Sequence, residues 1–254
     1  MITAANTATD PSSRGSSKTE ATLVWDLPTR VFHWLLAASF IGAFATGDSE
    51  RWRALHVLLG YTAGGLIAFR LLWGVLGTRY ARFTGFTFAP AAAFDYLRSL
   101  FTRQPRHYVG HNPVGSWAVL AMLAAIALTA LTGWAAFSEI GPEWLEDVHE
   151  TFANATLALI AVHVIAVIAS SWLHRENLVS AMVTGFKRAT GAMPAAGKRS
   201  LVAAALVAVV VAFWGGWIPA PGLNRGTGLA ALQTTASAAG VRDGHRYKHD
   251  HDDD

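Results

Sequence analysis

From Val148 to Leu173 the chain is apolar apart from a few polar side chains, with one charged residue, Glu150, and two histidines, His149 and His163. The two histidines are fourteen positions apart. At about 100° per residue that is nearly four turns, so both imidazoles fall within roughly 40° of one helix face. The same spacing separates them by roughly 21 Å along the axis, a large part of a ~30 Å hydrocarbon core. Two ionisable rings aligned at two depths of a membrane helix need partners. The simplest arrangement is one metal centre near each membrane surface.

Composition narrows the class. The 254 residues are 52% hydrophobic and 15% charged, with ten Trp, and the charges gather between long apolar runs, the pattern of an integral membrane protein. A pI near 9.4 raises the question of nucleic acid. The basic residues lie between the apolar runs, however, where membrane topology accounts for them, so no nucleic-acid partner is expected. There is no cysteine. That excludes disulfides, thiolate metal sites, cysteine-ligated iron–sulfur clusters and covalent haem attachment, leaving His or carboxylate to carry any metal. Residues 1–22 are rich in Ser, Thr and Ala without an apolar core, and read as a disordered tail rather than a signal peptide.

Five spans are expected. Span 1 runs from Pro28 to Thr46, with proline in its first turn and Gly47-Asp48 at its end. Span 2 runs from Trp52 to Leu76 and carries His56 and Arg70. A long basic connection from Gly77 to Asn112 includes Pro90–Phe101, a short interfacial helix with Phe94, Leu97 and Phe101 on one face. Span 3, Pro113 to Phe137, has no histidine, and the loop after it is acidic, with Glu139, Glu143, Glu146 and Asp147. Span 4 is the stretch from Val148. Span 5, Leu201 to Ile218, follows Arg175, Lys187, Arg188, Lys198 and Arg199 and stops at Pro219 and Pro221.

The connections 77–112 and 174–199 are rich in Lys and Arg, whereas 138–147 has neither. The positive-inside rule then puts the N-terminus in the cytoplasm and, with five spans, the C-terminus in the periplasm of a bacterial inner membrane. His33 and His163 fall on the cytoplasmic side, His56 and His149 on the periplasmic side. Two cross-helix pairs result, His33 with His163 and His56 with His149. Bis-histidine ligation holds haem iron in helix bundles, so two haems stacked across the membrane are one reading. The other is a haem-free proton relay, in which each histidine is a hydrogen-bonded polar residue.

Gly60 and Gly64 follow His56 at one-turn intervals and either leave room for a flat porphyrin or form a small-residue helix contact. Arg30, Arg53 and Arg70 are candidate partners of haem propionates, and each also serves as an interfacial topology signal. His174 reads as an interfacial residue. His107 and His111 lie in the basic loop, facing headgroups or a polar substrate. His245, His249 and His251 belong to a solvated tail, with weak divalent-metal binding the alternative.

The stretches RVFHWLL, LHVLLGYTAGGLIAFRLLWG, GHNPVGSWAVL and VHETFANATLALIAVHVIAVIASSWLHRENLVSAMVTG resemble the prokaryotic cytochrome b561 family, over roughly residues 24–187. That family includes the membrane cytochrome b subunits of nickel–iron hydrogenases. The resemblance implies an all-α, integral membrane four-helix bundle holding two b-type haems, with His33, His56, His149 and His163 as axial ligands and quinone as a redox partner. The fifth transmembrane helix and the C-terminal tail lie outside it.

The expected organisation is a tail at 1–22, a di-haem domain at 23–187, a linker and fifth helix at 188–219 and a tail at 220–254. The expected function is electron transfer across the membrane between a quinone pool and a periplasmic redox protein such as a c-type cytochrome. The cytoplasmic end, near His33, Arg70, His111 and His174, has the polar groups a quinone requires. The acidic 138–147 loop suits a basic protein partner. The alternatives are an anchor subunit of a hydrogenase or other multi-subunit oxidoreductase, a stand-alone quinol or superoxide oxidoreductase, and a haem-free transporter.

Overall fold

Short polar side chains open three of the helices. Asp26 accepts a hydrogen bond from the Thr29 amide at 2.9 Å, Asn112 from Gly115 at 2.7 Å and Asn177 from Ser180 at 2.8 Å. Each satisfies one of the amides that a helix start leaves without a partner, and Pro28 and Pro113 occupy first-turn positions where no amide is needed. The computed structural model describes residues 20–220 apart from 101, 103–105, 107, 190–192 and 196. His107 and the terminal His245, His249 and His251 lie outside the described residues.

In chain order the elements are β1 (Glu20–Leu23), α1 (Leu27–Thr46), α2 (Arg53–Leu76), α3 (Pro90–Leu100), α4 (Pro113–Phe137), α5 (Leu145–Leu173), α6 (Leu178–Thr184), β2 (Phe186–Ala189) and α7 (Ser200–Trp214). Helices α1, α2, α4 and α5 are long and apolar enough to cross a membrane. Their outer faces carry side chains that water would penalise: Ile165, Ile168 and Trp172 of α5 are exposed, Trp172 at 84%. A helix apolar on all sides satisfies its backbone internally and belongs in lipid. The chain is an all-α, multi-pass membrane protein.

Close packing runs from α1 to α2, α2 to α4 and α4 to α5. Phe32 and Leu36 of α1, Ala63, Leu66 and Ile67 of α2, and Leu123 and Ile126 of α4 form the core, joined by Leu206 of α7. Lipid tails are as apolar as leucine, so this core is held by close van der Waals fit more than by escape from water. Small residues permit the fit: a methyl group on Gly64 would meet the Ala130 methyl at an ordinary 3.6 Å. In α5 the buried residue is Thr156, midway between His149 and His163, and its hydroxyl is 3.2 Å from that of Thr129 on α4. Successive sevenths along a helix drift only about 20°, so His149, Thr156 and His163 share one seam.

Two features differ from expectation. Residues 20–22, assigned to the tail, belong to β1, which pairs antiparallel with β2 from Glu20↔Ala189 to Leu23↔Phe186. The Gly185 carbonyl takes hydrogen bonds from the Val24 and Trp25 amides at 2.9 and 3.0 Å, and Gly185 has φ of +91°. A side chain there would be strained and would sit 2.7 Å from the Trp25 carbonyl.

The expected fifth span is the 15-residue helix α7, roughly 22 Å long and short of a ~30 Å hydrocarbon core. It ends at Gly215-Gly216, the second with φ of +77°. Instead of standing apart it lies on α1, with Trp214 Nε1 donating to Thr62 Oγ1 of α2 at 2.9 Å.

Lys187 is buried and ties the connections at one end of the bundle. Its Nζ lies 3.3 Å from the Glu176 carboxylate and donates to the carbonyls of Tyr108 and Val109 at 3.4 and 3.2 Å.

Candidate metal centres

Helices α2 and α5 bring His56 and His149 together, with ring centroids 6.0 Å apart and ring planes at 89°. Each ring is fixed by a neighbouring helix. His56 Nδ1–H donates to the Ala43 carbonyl of α1 at 2.8 Å, and His149 Nδ1–H donates to the Thr129 carbonyl of α4 at 2.9 Å. With Nδ1 holding the proton, Nε2 keeps its lone pair on both rings. A backbone carbonyl behind each imidazole is the usual orienting partner of a metal-binding histidine.

The spacing suits an ion as well. Two metal–nitrogen bonds of about 2 Å, with roughly 1 Å more from each nitrogen to its ring centre, add to roughly 6 Å.

A glycine makes room for the His149 ring: a Cβ on Gly133 would lie 2.7 Å from His149 Cε1, whereas one on Gly47 would meet His56 Cε1 at an ordinary 3.8 Å. Of the two glycines expected to flank a flat cofactor, Gly60 has no protein atom near its would-be Cβ, whereas Gly64 faces Ala130 of α4. The two sequence readings therefore divide: Gly60 leaves an open face, and Gly64 makes a helix contact.

At the opposite end α1 and α5 bring His33 within electrostatic reach of His163. His33 Nδ1 is buried without a hydrogen-bond partner, and its ring meets Trp34 edge-on at 5.1 Å. Arg70 sits at this end, 3% exposed, its guanidinium 4.8 Å above the Phe83 ring and its Nη1 buried without a partner. A buried cation with a free donor is costly unless an anion reaches it.

His111 lies between Trp25 and Phe86, at 4.8 and 4.5 Å between ring centroids. Burial pushes it down to about 3, and Arg70, Lys187 and His163 act in the same direction, so it is a neutral imidazole at neutral pH. Of the other arginines singled out, Arg30 spends its Nη1 on the Val183 carbonyl, and Arg53 is exposed in the first turn of α2 beside the His56 end. His174 caps the end of α5, its amide bonded to the Ser170 carbonyl at 2.9 Å.

Among the described residues no three His, Asp or Glu side chains converge on one point. The histidines come in pairs, a donor set that would suit the iron of a haem rather than a metal ion held by side chains alone.

Several residues that shape these centres carried no strong signal in the sequence. Thr129 and Ala43 act through backbone carbonyls, which any residue type provides. Gly133 and Thr156 look like ordinary small residues of a membrane helix. Asp26 looks like a helix cap. It is 1% exposed and also accepts from Trp73 Nε1 at 3.1 Å and Thr78 Oγ1 at 2.7 Å, joining the start of α1 to the end of α2. The only clue was a carboxylate directly before a span that carries a histidine and an arginine.

Comparison with known proteins covers the same region. The family model described as prokaryotic cytochrome b561 matches residues 24–185, from the end of β1 to the Gly185 turn. A probable Ni/Fe-hydrogenase B-type cytochrome subunit of Rhizobium leguminosarum bv. viciae is 24% identical, over 70% of this chain and 93% of its own length. A protein of the same description from Cupriavidus necator is 25% identical, over 71% and 93%. Another, from Bradyrhizobium diazoefficiens, is 23% identical, over 64% and 84%. No solved structure matches the chain.

Proposed function

The chain belongs to the prokaryotic cytochrome b561 family, and on that premise we propose that it is a di-haem membrane cytochrome b serving as the cytochrome subunit of a larger oxidoreductase of the nickel–iron hydrogenase kind. Membership in the family implies b-type haem and electron transport. When bound, haem iron accepts and releases one electron at a time. His56 and His149 would hold one haem and His33 and His163 the second, and the two pairs lie at the two ends of the α5 seam.

The observation that carries this reading is the His56–His149 pair, 6.0 Å between ring centroids with both Nδ1 atoms committed to carbonyls. Arg70, with its unpartnered Nη1, would neutralise an acidic group of a haem held at the His33 end, with Arg30 a further candidate at that end and Arg53 a candidate at the His56 end. Ala43 and Thr129 hold the tautomer of the ligands, and Gly133 gives the His149 ring room. The basic connections support a cytoplasmic His33 end and a periplasmic 138–147 loop. Quinone reacts at one end of the path.

The hydrogenase-type partner is favoured by the relatives, each described as a Ni/Fe-hydrogenase B-type cytochrome subunit. A second reading, a carrier serving a soluble basic protein such as a c-type cytochrome, is favoured by the exposed carboxylates of Glu139, Glu143, Glu146, Asp147 and Glu150 beside the His56–His149 pair. Two measurements test the proposal. His56→Ala and His149→Ala should each leave one haem per chain of two. Gentle solubilisation of the native complex should recover hydrogenase-type subunits with the cytochrome. Recovery of the chain alone, reducible only through a small basic protein, favours the second reading.

A further inference from the structure

Asp26 is a buried carboxylate with both oxygens engaged, away from the histidine pairs. It is 1% exposed, and its Oδ1 accepts from the Thr29 amide while Oδ2 accepts from Trp73 Nε1 and Thr78 Oγ1. All three donors are neutral. The carboxylate also lies within electrostatic reach of both Arg70 and Arg30, and no hydrogen bond joins it to either guanidinium among the described residues. Two cations and one anion are thus held at the end of the bundle that carries His33. Asp26 lies seven positions before His33, roughly 10 Å along α1.

We infer that Asp26 is a positioning residue that sets the reduction potential of the haem at the His33–His163 end, by its own charge and by fixing α1 against α2. The inference rests on the proposed ligation by that pair. Reduction adds one electron to the iron, so a nearby negative charge disfavours it. A unit charge about 10 Å away in an environment of effective dielectric constant about 20 changes that equilibrium about tenfold. Tenfold in a one-electron couple is about 59 mV.

The test is an optical redox titration of the full chain with dithionite and ferricyanide, with haem counted per chain in every variant. Asp26→Asn removes the charge and keeps the shape. It should raise the midpoint of one haem by the equivalent of about tenfold in its reduction equilibrium and leave the other in place. Asp26→Glu should restore the original value. Thr78→Val removes the 2.7 Å donor, leaves the carboxylate less neutralised and should lower the same midpoint.

A purely structural role predicts that both variants shift the midpoint in the same direction, and that outcome overturns the inference. So does an Asp26→Asn protein with two haems and unchanged midpoints. Should Asp26→Asn fail to assemble, Thr78→Val decides alone, and an unmoved midpoint rejects the inference. A wild-type chain with fewer than two haems rejects the ligation itself, a different failure.

Discussion

Gly133→Ala adds one methyl group at the place where the His56–His149 centre has least room. The new Cβ would lie 2.7 Å from His149 Cε1 and 2.8 Å from Nδ1. Ordinary carbon contacts are about 3.5–4.0 Å, so the imidazole must retreat by nearly 1 Å. The ring cannot retreat freely, because Nδ1 is bonded at 2.9 Å to the Thr129 carbonyl one turn earlier on the same helix. Overpacking of this kind costs about 1–3 kcal/mol. Losing or bending the hydrogen bond adds about 0.5–1.5 kcal/mol. The total, roughly 2–4 kcal/mol, is a loss of about 30- to 1000-fold in affinity for whatever the ring ligates.

The assay is haem content per chain after purification, followed by challenge with a haem-scavenging protein. One haem should be lost or exchange quickly, while the haem proposed at the His33–His163 end serves as the control within the same molecule. A Gly133→Ala chain that holds both haems as tightly as the wild type would refute the role assigned to the His149 ring.

Three further outcomes are expected. Gly60→Ala meets no protein atom within 4 Å, so it should leave helix content and chain assembly unchanged but weaken haem retention; equal retention would assign that open face to lipid. Lys187→Met breaks a buried ion pair with Glu176 and should lower stability by about 3–5 kcal/mol, read as an earlier thermal transition in detergent; an unchanged transition rejects its role as a tie. His111 is held down to about 3 by burial, from an ordinary value of 6.5. Between those values the unfolded chain binds the extra proton, so the stability tied to neutral His111 is full above pH 6.5 and falls as the pH drops toward 3. His111→Phe should flatten that part of the pH–stability curve, and an unaltered slope contradicts the burial of this ring.

The long elements were legible because a bilayer leaves few choices. Span 3 has the expected bounds, Pro113 to Phe137, and spans 1 and 2 begin within a residue of expectation. Helix α5 starts at Leu145, three residues early, because Glu146 and Asp147 suit a first helical turn. The union of His56 with His149 followed from depth and chain direction alone.

Asp26 was not legible, since its partners Trp73 and Thr78 are distant in sequence and meet it only once α1 and α2 pack. The β1–β2 pair was not legible because four-residue strands are too short to carry a periodic signal, and the two meet only once the helices between them have packed. The fifth span was overestimated for a related reason. Apolar composition continues through Trp217 and Ile218, but the helix ends at Trp214, before Gly215-Gly216, so it is shorter than expected.

The most direct test is a reduced-minus-oxidised absorption spectrum of the purified chain, with pyridine haemochrome quantitation against protein. The account predicts a sharp b-type band and two haems per chain. A featureless spectrum, or two haems per chain retained with alanine at both His56 and His149, would contradict it.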